Sequence, residues 1–215
     1  MMSANSASEA LWQVLHQAGA LLTDGGFAEP LPARPAPAAE RSKRVPASAE
    51  GYSDLAARYT GHLPSGAAWP LGTGTGAPRA LILTQAPLSE QAWEFVRTWF
   101  ENPKVDLNLT QDFFIQPLPD LEGGSPSYQG LARDLCALLN PKALLSLGPI
   151  PAQRLLGAPL SIDTLRGSDY RFDRWSMVTT LDPEEYLGLD EAGKGRFKAQ
   201  VWRDLQRLLG KLKYG

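Results

Sequence analysis

Between Arg79 and Leu212, four short apolar runs alternate with amphipathic stretches, and this alternation restricts the fold more than any other feature of the chain. Ala80-Leu81-Ile82-Leu83, Phe113-Phe114-Ile115, residues 143–147 and Met177-Val178-Thr179-Thr180 are too short for helices. They suit strands buried on both faces. Between them, Ala92, Val96, Trp99 and Phe100 recur at helical spacing, and Ser89 is placed to cap that helix. Tyr128, Leu131, Leu135, Leu138 and Leu139 mark a second helix, residues 152–156 a short one, and residues 195–212 a long final one. Strands alternating with helices predict a parallel central sheet with helices on both faces, a three-layer α/β/α sandwich. Ligands of such sheets sit beyond the carboxyl ends of the strands. Here those ends are residues 84–88, 116–119, 148–151 and 180–183.

Upstream of Arg79 the pattern changes. Residues 1–27 contain one amphipathic helix: Ser6 and Glu9 fit a capping box, Leu11, Val14, Leu15, Ala18 and Leu22 share a face, and Asp24-Gly25-Gly26 stops it. Residues 28–50 are rich in Pro and Ala, a semi-extended linker by composition. Residues 51–78 read as an irregular segment, with a short helix possible from Tyr52 to Tyr59. The domain proper is expected over residues 79–215.

No apolar run approaches the ~18–20 residues of a membrane span, and residues 1–9 lack the pattern of a secretory signal. A soluble, cytoplasmic protein is expected. With one cysteine, Cys136, neither an intramolecular disulfide nor a four-cysteine metal site can form. The net charge of −2 favours no partner, yet residues 193–215 hold seven Lys or Arg and one acid, Asp204.

An ordered series runs through the second half: Asn140-Pro141-Lys142-Ala143-Leu144-Leu145-Ser146-Leu147-Gly148, Ala152-Gln153-Arg154-Leu155-Leu156-Gly157, Leu165-Arg166-Gly167, Thr180-Leu181-Asp182-Pro183 and Val201-Trp202-Arg203-Asp204-Leu205. The series resembles the C-terminal half of the iron–sulfur uracil-DNA glycosylases. The resemblance implies a uracil-DNA glycosylase-like fold, with a base pocket at Ala86, Pro87, Gln116, Thr180 and Pro183. It also implies altered chemistry. Where the family has Gly-Glu-x-Pro-Gly, this chain has Thr84-Gln85-Ala86-Pro87-Leu88. The family's uracil-reading asparagine corresponds to Gln116 or to Pro117. Its Thr-x-His-Pro is Thr180-Leu181-Asp182-Pro183, so a carboxylate stands where negative charge on the leaving base wants a donor. The cluster cysteines have no counterpart beyond Cys136, so no iron–sulfur cluster, metal or other cofactor is expected. The N-terminal layout is comparable with the psi subunits of bacterial clamp loaders, which resemble a glycosylase fold without its active site and tether through an N-terminal segment.

Each candidate site has a plain structural alternative. Gln85 and Asp182 are the catalytic candidates, with Asp182 activating water; Asp182-Pro183 equally opens a turn or caps a helix. Arg196, Arg203, Arg207 and Lys211 fall in one arc of the last helix and could meet DNA phosphates, or form an ordinary solvated face. Trp93, Phe95, Trp99 and Phe100 could stack on bases, with Phe95 off the main apolar face; at helical spacing such residues are usually core. Leu11, Trp12 and Leu15 could dock on a protein partner of the replication or repair machinery, or fold back on their own domain. The leading expectation is a degenerate, non-catalytic glycosylase-like accessory that binds DNA or protein. The alternatives are an active glycosylase with rearranged chemistry, removing uracil or another deaminated base, and an interaction module without DNA contact.

Overall fold

A computed structural model describes residues 49–100, 107–121 and 127–214, all within one compact unit. Leu11, Trp12 and Leu15, and the linker as far as residue 48, lie outside the described residues. The elements are α1 (Ala49–Thr60), β1 (Thr73–Gly74), β2 (Ala80–Thr84), α2 (Glu90–Phe100), α3 (Leu109–Asp112), β3 (Phe113–Pro117), α4 (Tyr128–Leu139), β4 (Ala143–Leu147), α5 (Pro149–Leu156), α6 (Ile162–Gly167), β5 (Tyr170–Phe172), β6 (Trp175–Thr180), α7 (Pro183–Leu187) and α8 (Glu191–Tyr214).

Among the described residues these strands form a six-stranded sheet in the order β1-β3-β2-β4-β6-β5. The four inner strands are parallel, as the apolar runs predict. The edges are a correction to the all-parallel expectation: β1 runs antiparallel to β3, and β5 antiparallel to β6. Both edge strands are only two or three residues long, so neither carries a legible apolar run. Asp173 takes φ 50° in the turn between β5 and β6.

Side-chain alternation divides the core in two. Ile82, Ile115, Leu145 and Val178 face α2 and α8. Leu81, Leu83, Phe114, Leu144 and Met177 face the layer containing α1, α4, α5 and α6. Phe197, Val201, Leu205, Leu208 and Leu212 are buried as their spacing predicts, although α8 starts at Glu191, a turn earlier than expected. Asp190 accounts for that start by accepting from Gly193 N at 2.7 Å. The Asn140-Pro141 pair also finds its cause: Asn140 takes the left-handed conformation (φ 47°) that ends α4, and Pro141 prevents continuation.

The sequence left open whether residues 51–78 pack on the sheet; they do. Leu55 and Tyr59 of α1 join the second core. Tyr59 and Arg58 both bond Asp134 of α4, at 3.0 and 2.7 Å. Tyr52 meets Phe114 edge to face at 5.3 Å. The folded unit therefore extends N-terminally past Arg79. No described helix is long and apolar enough to cross a membrane.

Candidate functional site

The chain leaves β2 for β3 on one side and returns to β4 on the other, so β2 and β4 diverge at a topological switch point. The loops carrying Gln85, Gly148 and Asp182 project from this end of the sheet. Most of the buried polar side chains around them are engaged by partners within the fold.

Gln116 is wholly buried at the end of β3. Its Oε1 accepts from Tyr52 Oη at 2.6 Å, and its Nε2 donates to the carbonyls of Pro70 (3.0 Å) and Pro117 (2.8 Å). The Tyr52 hydroxyl in turn accepts from Trp69 Nε1 (3.2 Å) and Gly72 N (2.7 Å). An amide bonded in this way ties the 69–72 segment across the sheet and offers no free edge to a base. The register pairs Leu83 with Gln116 and Thr84 with Pro117, and both Gln116 and Pro117 are buried.

At the end of β6 the arrangement is ionic. Asp204 of α8 has a side chain 4% exposed and accepts from Arg166 Nε at 2.7 Å and from Thr180 Oγ1 at 2.9 Å. Arg166 also donates to Gln200 Oε1 at 3.1 Å. Thr180, a predicted pocket residue, is thus buried and turned toward α8. Pro183 is buried as the first residue of α7.

Asp182 caps α7, accepting from Glu184 N at 3.0 Å, as an Asp-Pro pair often does. It packs against Gly148, whose φ of 78° favours glycine; a Cβ there would stand 3.2 Å from Asp182 Cβ. Burial pushes the Asp182 carboxyl above the ordinary aspartate range, and burial with the Asp182 charge does the same to Glu185. Gln85 is exposed and shares no hydrogen bond with Asp182, so the structure does not join the two catalytic candidates. Glu184 is the residue that links the loops: its carboxylate accepts from Ser89 N (2.7 Å) and Ser89 Oγ (2.9 Å).

The space left over is apolar. Two hollows of about 330 and 440 Å³ share Pro87 and Pro117 over the ends of β2 and β3. Leu71, Leu88 and Trp93 line the first; Trp69, Gln85 and Ala86 line the second. Leu71 is 76% exposed beside them.

Of the basic arc on α8, Arg207 and Lys211 are bound internally. Arg207 donates to the carbonyls of Arg166 and Ser168 and, at 2.9 Å, to Asp169; Lys211 reaches Asp169 at 2.7 Å. These bonds hold the Asp169 carboxyl below its usual range. Arg196 and Arg203 are exposed and have no ion pair among the described residues. Phe95 corrects the stacking expectation: it is buried, with its ring stacked on Tyr186 at 3.7 Å and 6°. Trp99 and Phe100 are core, and Trp93 is half-buried.

Cys136 sits in the core of α4, where burial pushes its thiol up to about 12. A lone, buried thiol does not fit a four-thiolate cluster. Among the described residues no group of three His, Cys, Asp or Glu could hold a metal ion.

Tyr52, Arg166 and Asp204, central to this end of the sheet, were not picked out from the sequence as site residues. Asp204 had a readable signal: it is the lone acid among residues 193–215 and lies between the core positions Val201, Leu205 and Leu208. Tyr52 had none, being 64 residues from its partner. The chain matches no protein-family model and no curated protein.

Proposed function

We propose that this protein is a non-catalytic, uracil-DNA glycosylase-like accessory of DNA replication or repair, acting by binding a protein or DNA in the manner of the psi subunits. The observation that carries the reading is the engagement of the polar groups at the carboxyl end of the sheet. Gln116 is bonded on both amide atoms, Thr180 is committed to Asp204, and Asp182 caps a helix. A glycosylase needs donors aimed at the departing base; the adjoining hollows are lined mainly by Pro, Leu, Trp and Ala. Such walls suit apolar contact with a partner. A protein partner is favoured over DNA because Arg207 and Lys211 already hold Asp169.

Single-turnover cleavage of DNA containing uracil, hypoxanthine or xanthine, with protein in excess, tests the reading. No abasic sites are expected. The second reading, an active glycosylase, is favoured by the raised Asp182 carboxyl, a group suited to proton transfer. Abasic sites formed by the native chain and lost in Asp182→Asn would replace our proposal with that reading. Salt-sensitive DNA binding lost on Arg196→Glu and Arg203→Glu would make DNA the partner.

A further inference from the structure

Residues 64–77 run past the ends of β2 and β3 between two firm anchors. At one anchor Leu63 is buried and its N–H donates to Thr60 O at 3.2 Å. At the other Pro78 is buried and Arg79 N donates to Asp112 O at 2.6 Å. Between them no residue is buried, and Leu71 is 76% exposed. The seat of this strap on β3 is nonetheless specific. A Cβ on Gly72 would stand 2.8 Å from Gln116 Oε1 and closer still to the Phe114 ring. Gly74, at φ 135°, lies against the Phe113 backbone. Only glycine fits at either place.

The fixings converge on two side chains. Trp69 Nε1 and Gly72 N both donate to the Tyr52 hydroxyl, and Pro70 O accepts from Gln116 Nε2. Tyr52 and Gln116 are bonded to each other. The two-residue β1 and the bond from Thr75 N to Phe113 O at 3.1 Å add to these. Parting Tyr52 from Gln116 therefore loosens three points of the strap at once. Pro70 and Leu71 are consecutive, yet they line different hollows, the larger and the smaller, which share Pro87 and Pro117. The strap thus passes between the two hollows.

We infer that residues 64–77 are a strap that lifts from β3 as a unit while the sheet stays folded, and so controls access to the carboxyl end of the sheet. Lifting joins the two hollows into one cleft and uncovers the Gln116 amide and the Phe114 ring. Segments that open locally are those with few buried apolar side chains and an exposed backbone; the strap has both properties, and its anchors keep it from unravelling further. This inference goes beyond the proposed function and does not rest on it. A strap can lift whether the surface beneath meets a protein or DNA, and the measurement that reads it is neither cleavage nor partner binding.

The test is native-state hydrogen exchange of the full chain, followed by NMR at urea concentrations below the unfolding transition. The Gly72 and Thr75 amides are expected to exchange through one shared opening that scarcely depends on urea, because lifting the strap exposes little surface. Ile82 and Leu145, in β2 and β4, should exchange only with global unfolding. Gly72→Ala should speed exchange at positions 72 and 75 about tenfold and leave Leu145 within about twofold of the native chain. Tyr52→Phe should speed Thr75 as well, although the Thr75 amide is bonded to Phe113 and not to Tyr52. Anilinonaphthalene sulfonate should fluoresce more strongly with Gly72→Ala than with the native chain as the hollows join. Gly72 and Thr75 amides without protection, or with the urea dependence of Leu145, would overturn the inference. So would Gly72→Ala acting equally on Leu145 or on nothing, Tyr52→Phe leaving Thr75 unchanged, or dye fluorescence that does not rise.

Discussion

The carboxyl ends of β3 and β6 each bury a polar side chain and satisfy it differently. At β3 a neutral amide, Gln116, is held by a tyrosine and two carbonyls. At β6 a carboxylate, Asp204, is held by a guanidinium and a hydroxyl from two other elements. A neutral amide has a modest desolvation cost, so a loop can close over it. A buried charge needs an opposite charge brought in by a well-packed element. The β3 end is therefore a latch made by the 52–72 segment, and the β6 end a clamp between α6 and α8. Both leave the end of the sheet with little free polarity.

The largest effect is expected at the clamp. Asp204→Ala should lower unfolding free energy by about 3 kcal/mol, because Arg166, mostly buried, loses its counter-charge and keeps only Gln200. Urea denaturation measures it. Arg166→Met combined with Asp204→Leu should recover most of that loss; equal losses in the single and double variants would mean that the pair is not the cause.

The latch should be weaker. Tyr52→Phe leaves Trp69 Nε1, Gly72 N and Gln116 Oε1 short of a partner, a cost of about 1–3 kcal/mol. Hydrogen exchange at the Gly72 amide should quicken in the variant. Unchanged exchange there would show that Tyr52 is not what holds the segment.

Next comes the cap. Asp182→Ala should cost about 1 kcal/mol, while Asp182→Asn keeps the cap and should cost little. The folded-state pKa of Asp182 is raised by burial. Its contribution to stability is therefore fully present below the unfolded aspartate value and is lost as pH rises through the folded value. Asp182→Asn should flatten that part of the stability profile.

The smallest effect belongs to Asp169 at the exposed edge of the clamp. Asp169→Asn should cost about 0–1 kcal/mol, as partly exposed ion pairs do. The sign of its pH dependence is opposite to that of Asp182. Its carboxyl is lowered by hydrogen bonds from Lys211 and Arg207. Its contribution is present above the unfolded value and disappears as pH falls through the folded one. Thermal unfolding from neutral to acid pH should show the wild type losing its advantage over Asp169→Asn. A constant gap would mean that the ion pairs contribute nothing.

The four inner strands, the Ser89 and Asp182 caps and the buried face of α8 were legible because each is a local pattern. An apolar run, an Asp-Pro pair or a 3.6-residue spacing carries its own signature. The arc of Arg196, Arg203, Arg207 and Lys211 was also legible as an arc. Its division was not, because Asp169 lies 42 residues before Lys211 and reaches it by way of β5, an edge strand too short to read. Phe95 was misjudged because its stacking partner, Tyr186, comes from α7, a five-residue helix on the far side of the sheet sequence.

By itself, then, the sequence determined the four inner strands, the longer helices between and after them and most of the faces they turn inward, since backbone geometry imposes those periods wherever the chain goes. Tertiary structure decided which polar groups remain available. Gln116 and Tyr52 are 64 residues apart, and Arg166 and Asp204 are 38 apart. A buried donor must take whichever acceptor the packed layers bring within about 3 Å, and no local pattern encodes that choice.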